Sequence, residues 1–111
     1  MGLDMYFVME DDDGQQTEMA YFRKHSDLHG WFIDNVANGV DECQPIEINR
    51  THIAEAREAV ESHSLPLTRG FFFGASTQDD DEVKYTLDQL RIIDSFMHKH
   101  PSAKFFYIAS W

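Results

Sequence analysis

The segment between Asp79 and Pro101 carries the pattern that most limits how this chain can fold. Apolar residues recur there at helical spacing, and one stripe consists of Val83, Leu87, Leu90, Ile93 and Met97. Acidic residues fill the first turn, where carboxylates interact favourably with the helix dipole. Ser76 or Thr77 can cap the start, and the proline stops the pattern. The sequence therefore predicts a long helix, and the rest of a small domain must pack on it.

A second apolar stripe lies well round the same helix and is formed by Tyr85, Ile92 and Phe96. A helix that is apolar on two sides is either packed between two parts of its own protein or exposes a patch for a partner. Packing against a sheet and a loop is the commoner arrangement. The spacing alone leaves both interpretations open.

The first third of the chain predicts a β-hairpin followed by a helix. Residues 3–9 are apolar and β-prone, Asp13-Gly14 is a hairpin-turn signal, and residues 17–23 return as the second strand. Ser26 is a candidate N-cap. The helix behind it has one side formed by Leu28, Trp31, Phe32, Asn35 and Val36, and Asn38-Gly39 is expected to end it.

The remaining pattern predicts a short strand, a second helix and a terminal strand. Residues 45–49 place Ile46 and Ile48 on one face, and Thr51 is a candidate cap for a helix, with Glu55 near the position that completes a capping box. Ile53, Ala56 and Val60 form the inward stripe of that helix. In residues 104–111, Phe105, Tyr107 and Ala109 share one face, and Phe106 and Ile108 share the other.

These elements predict an α+β protein. Its 111 residues, 42% of them hydrophobic, suit one compact domain spanning residues 1–111. We expect a mainly antiparallel sheet with an N-terminal hairpin and three helices packed on it.

The run TRGFFFGAST, residues 68–77, admits two interpretations. Three consecutive apolar residues between glycines are typical of a strand covered on both faces. Glycines before a helix N-terminus also suit a phosphate cradle. Four carboxylates follow at that helix entrance, however, and a Walker-type lysine is absent, so the pattern favours the strand.

Negative charge is the strongest functional signal. The net charge is −11, which repels nucleic acid and anionic membranes and favours basic partners. Two blocks concentrate it, Glu10 to Asp13 and Asp79 to Glu82. They are either solvated turns and caps or a surface that imitates a phosphate backbone. On the second interpretation, the partner-binding residues are Asp11, Asp12, Asp13, Asp79, Asp80, Asp81, Glu82, Tyr85, Ile92 and Phe96.

Several residues could carry chemistry, although no complete catalytic motif is present. His25, His29, Asp41 and Cys43 could form a zinc set, but the paired CxxC elements usual for structural zinc are missing. Cys43 with His29 and Asp41 could also form a thiol nucleophile and its base. Buried, hydrogen-bonded histidines and inert cysteines are commoner than either. We therefore expect no metal, no cofactor and no enzyme activity.

A small-ligand pocket is the main alternative function. It would bind a nucleotide or signalling molecule through the one basic cluster of the chain and nearby aromatic rings. Its candidate residues are Arg23, His29, Trp31, Asn35, Asp41, Cys43 and Arg69. Arginines that simply pair with the abundant carboxylates are the commoner arrangement.

Several motifs together resemble a group of small uncharacterised proteins of tailed phages and prophages. The motifs are MGLDMY, YFRKHSDLHGWFIDNV, GVDEC, GFFFG and YIASW, and they spread over most of the chain. Matching positions are Arg23, Lys24, His29, Trp31, Phe32, Asn35, Val36, Gly39, Asp41 and Cys43. Phe22 stands where a tryptophan is usual, and the EDDDG turn departs from the pattern. The resemblance implies a phage-type accessory protein and carries no established activity.

Charge, missing motifs and resemblance lead to one expectation. The protein is a non-enzymatic inhibitor that binds a basic, nucleic-acid-binding surface on a host protein, such as a defence nuclease. A start without a basic region predicts no signal peptide, and the single cysteine fits a reducing compartment. We expect a cytoplasmic protein of the host cell, with no direct nucleic-acid or membrane partner.

Overall fold

The computed structural model describes residues 2–66 and 79–111, which form four strands and three helices. In chain order the elements are β1 (Asp4–Glu10), β2 (Gln16–Arg23), α1 (Ser26–Asn35), β3 (Ile46–Ile48), α2 (Arg50–Glu61), α3 (Asp80–Lys99) and β4 (Lys104–Ser110). The α+β class, the N-terminal hairpin and the three helices are confirmed. The GFFFG run and the candidate caps Ser76 and Thr77 lie outside the described residues.

The strands form one antiparallel sheet in the order β2-β1-β4-β3. A turn at residues 11–15 joins β1 to β2, and Gly14 adopts φ 81° there, in the left-handed region that glycine tolerates best. A bulge interrupts the β1–β2 register: Phe7 opposes Ala20, whereas Val8 opposes Glu18. Met19 is therefore an extra residue in β2, and the strand changes face at that point.

One face of the sheet carries the core. Leu3, Met5, Phe7 and Met9 from the first strand region are buried, and so are Phe105, Tyr107 and Ala109 of β4. The two isoleucines of β3 are buried on the same face, as the alternation predicted. Phe32 of α1 contacts Phe7 and Tyr107, with ring centroids 5.3 and 4.9 Å apart. These contacts attach the first helix to the sheet.

The start of α2 differs from the expectation. Asn49, not Thr51, is the N-cap: its side chain accepts a hydrogen bond from the His52 amide, and His52 Nδ1 accepts from the Asn49 amide. This closes a capping box two residues before the predicted one. Asparagine caps at least as well as threonine, and the helix starts at the first site that can close the box. The inward stripe of Ile53, Ala56 and Val60 is buried as expected.

The N-cap residues of the other two helices also differ from the predicted ones, although α3 begins next to Asp79 as expected. Ser26 is the first residue of α1, and His25 occupies the N-cap position without a side-chain capping bond. Asp79 caps α3 through a 2.9 Å bond from the Glu82 amide to its carboxylate. The helix α1 ends at Asn35, before the left-handed pair Asn38 and Gly39.

A threonine is buried in the middle of α3. Thr86 is fully buried, and its hydroxyl has no hydrogen-bond partner among residues 2–66 and 79–111. A hydroxyl removed from water without a partner lowers stability.

Thr86→Val is expected to stabilise the fold, because it removes this hydroxyl and keeps the branched shape. We expect the free energy of unfolding to rise by about 1 kcal/mol, measured by urea denaturation. Thr51→Val, at an exposed position of α2, is the matched control and should change stability by less than about 0.5 kcal/mol. A loss of stability in Thr86→Val would show that the hydroxyl forms a hydrogen bond that stabilises the fold.

Candidate functional site

The acidic entrance of α3 contains both structural and exposed carboxylates. Asp79 caps the helix, and Glu82 lies 3.7 Å from His25 Nδ1. Asp80 and Asp81 point to solvent from the first turn. Of this predicted binding block, two residues therefore help to hold the fold, and the side chains of the other two are exposed to solvent.

The second predicted stripe of α3 is mostly exposed. Tyr85 is 45% and Ile92 42% exposed, whereas Phe96 is half-buried and its ring stacks on His100. Tyr85 also has a structural role, because its hydroxyl donates to the Tyr21 carbonyl and its ring packs edge-on against Phe22. These contacts cover part of the edge strand β2, and Ile92 is the exposed aliphatic residue of the stripe.

The acidic hairpin tip also contains both structural and exposed carboxylates. The Asp11 carboxylate accepts bonds from the amides of Asp13 and Gln15, so it shapes the turn. Asp12 and Asp13 are exposed. The acidic sequence thus forms a tight turn and also presents two exposed carboxylates.

The two acidic blocks lie at opposite ends of the molecule. The entrance of α3 is next to the end of β2, where Tyr85 meets Tyr21 and Glu82 meets His25. The hairpin tip lies at the other end of the sheet, where Glu10 opposes Lys104, shortly after α3 has ended. A twenty-residue helix is about 30 Å long. The blocks therefore form two separate surfaces.

His29, Asp41, Tyr107 and Trp111 form a hydrogen-bonded network inside the protein. His29 Nδ1 lies 2.6 Å from the Tyr107 hydroxyl, and His29 Nε2 lies 3.0 Å from Asp41 Oδ2. The Trp111 indole donates to Asp41 Oδ1 at 3.1 Å. A proton on Nε2 satisfies both histidine contacts at once, because the tyrosine then donates to Nδ1. The network ties α1, the loop after it and the C-terminus together.

The contacts of His29 bear on the hypothesis of a thiol enzyme built on Cys43, His29 and Asp41. Both ring nitrogens of His29 are occupied by Tyr107 and Asp41, so neither is directed at Cys43, which is exposed. Burial raises the pKa of the Tyr107 hydroxyl well above its ordinary value, and the charges of Asp41 and Cys43 raise it further. The tyrosine therefore stays protonated and acts as a hydrogen-bond donor. The geometry fits a structural triad.

The candidate zinc residues do not form one cluster, although His29 and Asp41 are in contact. Within residues 2–66 and 79–111, no group of three or more His, Cys, Asp or Glu side chains has the arrangement of a metal site. His25 is buried beside Glu82, whereas His29 is held in the network. Burial lowers the pKa of His25, although the charges of Glu82 and Asp27 oppose this shift.

The remaining residues of the predicted ligand pocket are scattered. Arg23 is exposed at the end of β2, and Asn35 is exposed with its amide bonded to the Trp31 carbonyl. Trp31 is buried against Phe32. Arg69 lies outside the described residues. Of the described residues of this set, His29 and Asp41 are joined side chain to side chain, and Asn35 bonds the backbone of Trp31.

A cavity of about 500 Å³ lies elsewhere. It is situated between β3, the start of α2 and the end of α3. Ile48, Met97 and Phe105 line it, with Arg50 and Lys104 among the charged lining residues. None of the described residues that the sequence suggested for a ligand pocket lines it.

The face of the sheet opposite the core was missed as a candidate site. We call it the outer sheet face; its apolar residues are Tyr6, Val8, Tyr21, Phe106 and Ile108, all half-buried. Tyr6 and Tyr21 pack together with ring centroids 5.3 Å apart. The signal was present in β4, where apolar residues occupy both faces, but the neighbouring strands could not be assigned before the register was known.

No helix in the described ranges has both the length and the apolar content needed to cross a membrane. Comparisons of the chain with protein-family models, with curated proteins and with solved structures found no match. Function must therefore be inferred from the surface and the charges of this chain.

Proposed function

We propose that this protein is a small non-enzymatic binding protein that docks on a basic surface of another protein and blocks it. The supporting observation is negative charge that remains uncompensated at the surface. All twenty acidic residues lie in the described ranges. Lysine and arginine form three ion pairs in these ranges, one with Asp94 and two with Asp88, and all three lie at the surface.

The exposed acids suit electrostatic steering. Asp12, Asp13, Asp80 and Asp81 project from the two ends of an elongated molecule, with principal extents of 37 × 27 × 22 Å. Complementary charge of this kind raises the association rate and selects for basic partners. The resemblance to phage proteins makes a host protein the partner class, and a nuclease has a basic groove of the required sign.

Capture experiments can test this proposal, since binding should weaken when exposed acids are reversed. The partner is first captured on immobilised protein at low salt and identified by mass spectrometry. Asp12→Lys/Asp13→Lys and Asp80→Lys/Asp81→Lys then each change the net charge from −11 to −7. We expect the pair that faces the partner to weaken affinity about tenfold in low-salt calorimetry. These pairs spare the structural acids Asp11 and Asp79.

The control is Glu55→Lys/Glu58→Lys, two exposed positions of α2 with the same charge change. This variant should lose less than about threefold in affinity. The proposal is overturned if the wild-type protein captures no basic protein in a salt-sensitive way. Equal affinity in all three variants and the wild type would also overturn it.

A further inference from the structure

We infer that the outer sheet face is the docking surface and that its partner element is a basic amphipathic α-helix. This inference rests on the proposed function, because it names the surface and the kind of partner for the same binding activity. It is carried by a row of residues that crosses all four strands.

The row consists of Glu18, Val8, Phe106 and Glu47. The register places Glu18 opposite Val8, Val8 opposite Phe106, and Phe106 opposite Glu47. Residues directly opposite each other in an antiparallel sheet project to the same face. An apolar centre on β1 and β4 is therefore flanked by a carboxylate on each outer strand.

A second row extends the apolar centre. Tyr21, Tyr6 and Ile108 oppose one another across β2, β1 and β4, one pleat away from Val8 and Phe106. The Tyr21 hydroxyl donates to Asp4, and this bond raises the pKa of Tyr21. The resulting surface is apolar over five side chains, and it is preorganised by a sheet rather than a loop.

Charge decides what can cover this surface. At the two ends of the face, Asp4 opposes Arg23 and Glu10 opposes Lys104, so each end carries one acid opposite one base. Glu18 and Glu47 are both exposed, and neither forms an ion pair within residues 2–66 and 79–111. The partner must therefore be apolar along its middle and basic on both sides.

The width of the row fits a helix. Three strand spacings separate Glu18 from Glu47, roughly 14 Å. An α-helix with side chains is about 10–12 Å across, so it fits between the two carboxylates. A helix with apolar residues at i, i+3, i+4 and i+7 would contact both apolar rows, and lysines or arginines beside that stripe would reach the glutamates.

Charge also argues against two other occupants. A second copy of this chain would bring Glu18 and Glu47 against an identical acidic face, in molecules that each carry a charge of −11. A nucleic acid would place phosphates beside the same carboxylates. Both occupants are outcomes that the experiment can detect.

The test uses a synthetic helical peptide of eighteen residues, roughly five helical turns, with a leucine stripe flanked by lysines on both sides. A scrambled peptide of the same composition is the control. Calorimetry compares wild-type protein with Glu18→Lys/Glu47→Lys and with the charge-matched Glu55→Lys/Glu58→Lys on α2. Phe106→Ser tests the apolar centre. Circular dichroism confirms that each variant is folded.

We expect the wild-type protein to bind the amphipathic peptide at least about tenfold more tightly than the scrambled one. Glu18→Lys/Glu47→Lys and Phe106→Ser should each weaken that binding at least about tenfold, and the α2 pair less than about threefold. Equal binding of the two peptides would overturn the inference. An equal loss of peptide affinity in the two charge-reversed pairs would also overturn it. So would self-association that is tighter than peptide binding, or tighter binding to a DNA oligonucleotide than to the peptide.

The natural partner separates the two proposals. If Glu18→Lys/Glu47→Lys still binds the captured basic protein with wild-type affinity, the outer sheet face is not the docking surface, although the proposed function stands. If the wild-type protein captures no such partner, the proposed function itself fails.

Discussion

Phe32→Ala is expected to lower the free energy of unfolding by about 3–5 kcal/mol. Phe32 is fully buried, and its ring contacts Phe7, Tyr107 and Trp31 at centroid distances of 5.3, 4.9 and 5.1 Å. Truncation removes these contacts and leaves a cavity between α1 and the sheet. A domain of this size is stable by only about 5–15 kcal/mol, so the loss is large.

Phe96→Ala is the matched control for this measurement. It makes the same change inside a helix, and therefore the same change in helix propensity, but the Phe96 side chain is half-buried. We expect a loss below about 1.5 kcal/mol in urea or thermal denaturation. If Phe32→Ala fails to fold, the milder Phe32→Leu should still lower the free energy of unfolding more than Phe96→Leu does. Similar losses at the two positions would show that α1 is not anchored through this aromatic cluster.

The hydrogen bond between His29 and Tyr107 is expected to behave as a coupled pair. Tyr107→Phe removes the hydroxyl that meets His29 Nδ1, and it leaves a buried nitrogen without that partner. His29→Leu removes the other half of the bond, together with the contact to Asp41. We expect losses of about 1–3 kcal/mol for the tyrosine change and about 2–4 kcal/mol for the histidine change.

The free energy of unfolding that the double variant loses should be smaller than the sum of the two single losses by about 1 kcal/mol or more. The reason is that the double variant leaves neither member of the bond buried without its partner. Urea denaturation of the wild type and the three variants completes the cycle. Asp41→Asn, which keeps an acceptor for the Trp111 indole, provides an independent perturbation of the same network. Strict additivity of Tyr107→Phe and His29→Leu would mean that the 2.6 Å contact does not stabilise the fold.

The spacing of apolar residues predicted a helix or strand well where a single helical or strand periodicity dominated. The spacing of Leu90, Ile93 and Met97 placed them on the buried side of α3, and the alternation of Phe105, Tyr107 and Ala109 placed them in the core. The helix starts were less well predicted. Serine, threonine, asparagine and aspartate all cap helices, and a segment rich in them offers several possible starts.

The role of His29 could not be decided from the sequence. Its Tyr107 partner is 78 residues away along the chain. A histidine near an aspartate and a cysteine is compatible with a metal site, a catalytic base or a buried network. Only the packing of α1 against β4 shows that both ring nitrogens are already engaged.

Glu18 illustrates the same limit for the outer sheet face. Strict alternation in β2 would place it on the same face as Ala20 and Phe22, which are buried. The bulge at Met19 turns it to the opposite face, beside Val8. A single extra residue thus moves a carboxylate from one side of the sheet to the other, and pairing partners that are distant in sequence decide where it occurs.

By itself, the sequence determined the types of the described elements, the inward faces of α2, α3 and β4, and the large negative charge, because these follow from local periodicity and composition. The tertiary structure alone decided which residues meet across the sheet, which carboxylates support turns and caps, and that the two acidic blocks lie far apart. The physical reason is that strand register and helix docking depend on contacts between segments that are remote along the chain, and no local period encodes them.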